Sequence, residues 1–103
     1  MILRDSTFAC PSRRAVTVLS ERGVKSWLYH FVMPLRNWIE YPLLGDYHIS
    51  ELAFVFGNEW PAVLHDFTKD ERKLSNAIQY YWSNLAKTGD VNLGDSETEY
   101  LHW

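Results

Sequence analysis

The sequence predicts an α/β fold that is mostly helical and contributes one or two strands to a sheet. Three features indicate this: a segment with proline in its first turn and glycine beyond its end, a continuous run of aromatic and β-branched residues, and a long segment with apolar residues at helical spacing. A helix followed by a strand that is apolar on both faces is typical of α/β proteins. We expect the 103 residues to be one domain or part of one, since no linker divides them.

The first predicted helix covers residues 11–22 and the strand covers residues 27–32. Pro11 lies in the first turn of the helix and Gly23 directly follows its end, which is the usual arrangement of these two residues. The strand is apolar at nearly every position and ends before Pro34. A single strand cannot satisfy its own backbone N–H and C=O groups, so we expect it to pair with strands from outside this sequence.

The remaining elements are a ring-bearing loop, a short helix and a long helix. Residues 34–47 contain two prolines and a glycine and are interpreted as the loop; residues 48–56 are predicted to form the short helix. The long helix begins at Thr68, because Glu71 three residues later completes a capping box, and it ends before Gly89. Its predicted buried face consists of Leu74, Ala77, Ile78, Tyr81 and Leu85.

Composition narrows the possible classes of protein. The net charge is -3 and no basic stripe is present, which argues against a nucleic-acid partner. No apolar stretch approaches the roughly 20 residues that a membrane-spanning helix needs. Hydrophobic residues make up 47% of the sequence and aromatic residues 16%, so the chain is far too apolar to be disordered. So many rings need a larger core than a small domain provides.

His48 is the strongest candidate for a catalytic residue. It lies between the glycine turn at Gly45 and the apolar run that ends at Gly57. An imidazole can take a proton from a serine hydroxyl and return it to a leaving group, but only beside a nucleophile and an orienting acid. No serine of the chain lies in a G-x-S-x-G motif; residues 94–98 come nearest but lack the second glycine.

The neighbours of His48 offer two further candidates. His48 and Glu51 form an H-x-x-E pair, but two ligands are too few for a metal site, and no metal is predicted. Glu51 is instead predicted to be structural, anchoring the segment near the site. Tyr47 either lines a substrate pocket or packs in the core, and the sequence does not decide between the two. His30, inside the predicted strand, is expected to have a core role.

Four ordered blocks of the sequence resemble the C-terminal part of type-B carboxylesterases, the family that includes the cholinesterases. The blocks are residues 5–11, residues 27–31, the histidine run at residues 45–57, and residues 81–92. Their order and spacing agree with the family, and together they cover nearly the whole chain. A complete domain of that family is several times longer, so the resemblance implies that residues 1–103 are the C-terminal part of such a domain, incomplete at both ends.

The resemblance implies an α/β-hydrolase fold and a serine–acid–histidine triad in that chain order. His48 matches the histidine and would be the general acid/base, while the serine and the acid are expected upstream of Met1. The implied substrate is a small-molecule carboxylic ester, no cofactor is needed, and an extracellular location is expected. The lone Cys10 matches a family cysteine whose partner would lie beyond Trp103.

Alone, the chain is expected to be inactive because it lacks the nucleophile. Two alternatives remain open. The chain could come from a non-catalytic relative, since the same fold serves adhesion proteins in which triad residues are replaced. It could also be a free-standing small helical domain that shares only ancestry with the family.

Overall fold

The computed structural model describes residues 5–33, 50–58, 66–94 and 100–103. The chain divides into two compact units, Met1–His30 and Phe31–Trp103. The predicted loop over residues 34–47 and the first two residues of the predicted short helix lie outside the described residues.

The first unit contains helix α1, Cys10–Glu21, preceded by a five-residue π-helical turn, Asp5–Ala9. Pro11 lies in the first turn of α1, where its missing N–H would have no helical partner in any case. Gly23 adopts the left-handed conformation (φ 75°) just past the end of the helix, as its position in the sequence predicts. None of the residues of α1 is buried.

The predicted strand over residues 27–32 is not confirmed. Residues 24–33 have no regular secondary structure, and none of the described residues belongs to a β-strand. Leu28 and Tyr29 are each 42% exposed and Val32 is 61% exposed. Because a strand forms only when a second strand binds its backbone groups, this segment has no means of becoming one among the described residues.

The second unit contains helix α2, Leu52–Phe56, and helix α3, Lys69–Thr88. The predicted capping box is confirmed: the N–H of Thr68 donates to Glu71 Oε2 (2.8 Å), and the N–H of Glu71 donates to Thr68 Oγ1 (3.2 Å). Gly89 ends α3 in the left-handed conformation (φ 75°), with its N–H donating to the carbonyl of Leu85.

The buried face of α3 differs in part from the predicted apolar face. Leu74 and Ile78 pack against the core, as predicted, but Leu85 is 43% exposed. The buried residues of α3 are the polar residues Glu71, Ser75 and Asn84. Spacing of apolar residues therefore located the helix correctly but did not identify the residues at its closest contacts.

The C-terminal residues 100–103 pack back against α3. The side-chain amide of Asn92 donates to the carbonyl of Trp103 (3.0 Å) and accepts from its N–H (2.7 Å). Tyr81 donates its hydroxyl proton to the carbonyl of Leu101, and its ring lies 5.1 Å from that of Trp103. Tyr100 adds a second ring contact, since its ring lies 5.2 Å from that of Tyr80. No described helix combines the length and the apolar character that a membrane span requires.

Candidate functional site

The sequence-predicted site residues are only partly described by the structure. His48 and Tyr47 lie outside the described residues, whereas Glu51 lies directly before α2 and is partly buried. The carbonyl of Glu51 accepts hydrogen bonds from the N–H groups of Phe54 and Val55, both at 3.0 Å, and so begins the helix. Residues 50–58 are therefore the described part of the chain that lies nearest to His48 in sequence. We call this segment the post-histidine segment.

The post-histidine segment is held by the side chain of Phe54. Phe54 is fully buried, and its ring lies 5.1 Å from that of Phe31 and stacks at 4.9 Å on that of Phe67. Leu74 and Ile78 of α3 complete the cluster. A helix of five residues is too short to be stable alone, so α2 owes its existence to this packing.

A buried polar contact accompanies the apolar cluster. Ser75 Oγ of α3 donates to the carbonyl oxygen of Phe54 at 2.8 Å, and Gln79 Nε2 donates to Ser75 Oγ at 3.0 Å. The last carbonyls of any helix lack a partner within that helix, and the Phe54 carbonyl is one of them. Ser75, which is 0% exposed, supplies the missing donor from the neighbouring helix.

Gly57 allows α2 and α3 to approach closely. It ends α2 in the left-handed conformation (φ 66°), and a Cβ atom added there would lie 2.5 Å from Gln79 Nε2. The left-handed backbone conformation favours glycine at this position, and a side chain there would displace the Gln79 amide. The Gln79 amide that lies against Gly57 is the same one that donates to Ser75.

Ser50 is a buried polar residue whose hydroxyl makes no hydrogen bond within the described part of the chain. It is 5% exposed and lies two residues after His48 in the sequence. Such groups are rare in folded proteins because leaving a buried hydroxyl unpaired is unfavourable.

His30 does not lie where the sequence predicts, and two residues near the site, Ser75 and Gln79, carry no signal in the predicted apolar face. His30 is exposed, in an open groove that Cys10 and Arg13 also line, and does not have the predicted core position. Ser75 and Gln79 were not predicted, although a serine one position from the apolar stripe could have marked a polar contact. The described residues contain no group of three or more side chains placed to bind a metal ion.

Comparison with known proteins identifies the family of this chain. A sequence model described as "Carboxylesterase family" matches residues 1–103. Acetylcholinesterase 1 of Caenorhabditis briggsae is 32% identical over 93 residues, which are 88% of this chain and 15% of that protein. Bile salt-activated lipase of Homo sapiens is 32% identical over 101 residues, 96% of this chain and 13% of the lipase. Acetylcholinesterase of Gallus gallus is 32% identical over 93 residues, 90% of this chain and 12% of that protein.

The chain thus spans 12–15% of the length of these three relatives. No solved structure gives a significant match to it. A family match that runs from the first residue to the last agrees with the four ordered blocks in the sequence. The chain therefore belongs to the carboxylesterase family.

Proposed function

We propose that this chain is the part of a serine carboxylic-ester hydrolase that supplies His48 as the general acid/base. The observation that carries the proposal is family membership over all 103 residues. The sequence resemblance matches His48 to the family histidine and supports the proposal. Acetylcholinesterases and a lipase share one reaction class, the hydrolysis of a carboxylic ester. The proposed substrate is a small-molecule ester, and an extracellular location remains a prediction.

His48 would move one proton in each half of the reaction. In acylation the imidazole takes the proton of the attacking serine hydroxyl as the serine oxygen bonds to the ester carbonyl carbon, and then gives it to the departing alkoxide. In deacylation it takes a proton from water, whose oxygen attacks the acyl-enzyme, and returns that proton to the serine. Atoms and charges balance without any cofactor.

The packing of the post-histidine segment supports this role. A general base contributes only when it is held within hydrogen-bond reach of the proton it removes. The segment that follows His48 is anchored by a fully buried aromatic side chain, Phe54, and by a buried hydrogen bond from Ser75. The chain on the C-terminal side of His48 is therefore held in a defined position.

The nucleophile and the acid are proposed to come from residues outside this chain. No G-x-S-x-G motif is present in the 103 residues. The chain alone is therefore expected to release no product from p-nitrophenyl acetate above the rate of its His48→Ala variant. A rate that falls specifically in that variant would show that the chain is self-sufficient and would overturn this part of the proposal.

A chimera tests whether the chain supplies a working histidine. The matched 101-residue region of human bile salt-activated lipase is replaced by the corresponding residues of this chain, and ester hydrolysis is measured per folded molecule. His48→Gln is expected to lower kcat by a factor on the order of 10⁴–10⁶, as removal of a triad histidine does. His102→Gln, a histidine at an exposed position, is the matched control and should leave kcat unchanged.

Two outcomes would contradict the proposal. One is a chimera in which His48→Gln retains the activity of His102→Gln. The other is a parent polypeptide that carries glycine or alanine where the elbow serine belongs, which would favour a non-catalytic adhesion protein instead.

A further inference from the structure

We infer that Ser75, acting with Gln79, is a positioning residue for His48. The inference rests on the proposed function and concerns a contact outside the reacting groups. We call this contact, from the Gln79 amide through Ser75 Oγ to the Phe54 carbonyl, the Ser75 contact.

The Ser75 contact supplies a direction that apolar packing lacks. Burial of Phe54 in an apolar cluster holds α2 against α3, but hydrophobic contact is non-directional and tolerates rotation or sliding of the short helix. The 2.8 Å hydrogen bond from Ser75 Oγ to the Phe54 carbonyl opposes both movements. Either movement would leave the hydroxyl and the carbonyl unpaired in the core. The contact therefore sets the register of α2 on α3.

The orientation of the Ser75 hydroxyl is itself fixed. Gln79 Nε2 donates to Ser75 Oγ at 3.0 Å, so the oxygen serves as acceptor on one side while its proton points to the Phe54 carbonyl on the other. The Gln79 amide is in turn held against Gly57, where a Cβ atom would come within 2.5 Å of it. Two groups at the C-terminal end of α2 are thus held by α3: the Phe54 carbonyl by Ser75 and the terminal glycine by Gln79.

The consequence for catalysis follows from the position of α2 in the sequence. His48 precedes Leu52, the first residue of α2, by four residues, so a shift of α2 is transmitted over a short length of chain. A misplacement of about 1 Å in a catalytic group can lower the rate by about 100-fold even when the altered residue is remote from the chemistry. Ser75 would therefore act on kcat through His48 without touching substrate.

The test uses the active chimera and a matched pair of serines on α3. Ser75→Ala removes the hydrogen bond to α2, whereas Ser83→Ala removes a similar bond, 3.0 Å to the carbonyl of Tyr80 within α3 itself. The number of active sites is measured by titration to completion with a fluorophosphonate, so that loss of folded protein is separated from loss of rate per site.

Ser75→Ala is expected to lower kcat per site, and the rate of phosphonylation, by about 10- to 100-fold with KM within about twofold. Ser83→Ala should change neither quantity by more than about twofold. Gln79→Leu, which removes the group that orients the Ser75 hydroxyl but leaves that hydroxyl in place, is expected to give an intermediate loss and serves as the second variant should Ser75→Ala yield no titratable sites.

The outcome separates this inference from the proposed function. If His48→Gln abolishes activity but Ser75→Ala and Gln79→Leu match Ser83→Ala per site, the positioning role is wrong and the proposed function stands. If His48→Gln retains activity, the proposed function fails first. A loss in Ser75→Ala that resides in KM alone would also contradict the positioning role.

Discussion

Phe54→Ala should remove much of the stability of the second unit. Phe54 is 0% exposed, and truncation of a fully buried phenylalanine typically costs about 3–5 kcal/mol. Part of that cost is the loss of two ring contacts, with Phe31 at 5.1 Å and Phe67 at 4.9 Å, each contributing about 0.5–1.5 kcal/mol beyond burial. A unit of about 70 residues has a total stability of roughly 4–10 kcal/mol, so one substitution removes a large fraction of it.

The assay is urea unfolding of the 103-residue chain, followed by far-ultraviolet circular dichroism. Phe56→Ala is the matched control, because Phe56 belongs to the same helix, is the same residue type and is 68% exposed. Its substitution should change the free energy of unfolding by no more than about 0.5 kcal/mol. Equal losses for the two variants would contradict this prediction, because buried Phe54 and exposed Phe56 would then contribute equally to stability.

Three further predictions concern single groups of the second unit. Thr68→Ala removes the cap of α3 and should lower the free energy of unfolding by about 1 kcal/mol in urea titrations; no change would show that the capping box contributes nothing. Burial, and then the neighbouring Tyr80 and Tyr100, raises the pKa of Tyr81, so its protonated form is favoured by folding. The resulting contribution to stability is complete below the ordinary tyrosine pKa of about 10 and is lost as pH rises through the raised pKa of Tyr81. The melting temperature should therefore fall less steeply above pH 10 in Tyr81→Phe than in the parent chain. Identical slopes for the two proteins would contradict this prediction. Ser50→Ala removes a buried hydroxyl that makes no hydrogen bond within the described part of the chain and should stabilise the 103-residue chain by about 1 kcal/mol, whereas a loss of that size would show that the hydroxyl has a stabilising partner.

Local signals in the sequence predict the helices well. Thr68 and Glu71 satisfy each other within one turn, and Gly23 and Gly89 adopt the left-handed conformation whatever lies beyond them. These interactions involve residues close together in the chain, so the sequence alone specifies them. Pro11 acts in the same way at the start of α1.

Features that depend on distant partners are less predictable. The segment at residues 27–32 has the composition of a strand but no regular structure, because a strand is defined by a neighbour that its own residues cannot provide. Apolar spacing predicts that Leu85 is buried, but Ser75 is the more buried of the two. Ser75 is buried because it donates a hydrogen bond to the Phe54 carbonyl, which has no partner within its own helix. His48 is singled out by its place between a glycine turn and an apolar run, and Tyr47 by its adjacency to His48. The family resemblance adds the triad role of His48, and both residues lie outside the described part of the chain.

The most direct test of the account is the ratio of kcat between the His48→Gln and His102→Gln forms of the lipase chimera. The two variants carry the same chemical change at two histidines of one chain. The account predicts a ratio of about 10⁻⁴ or lower. A ratio near one would contradict it, because the imidazole at position 48 would then have no part in moving the proton.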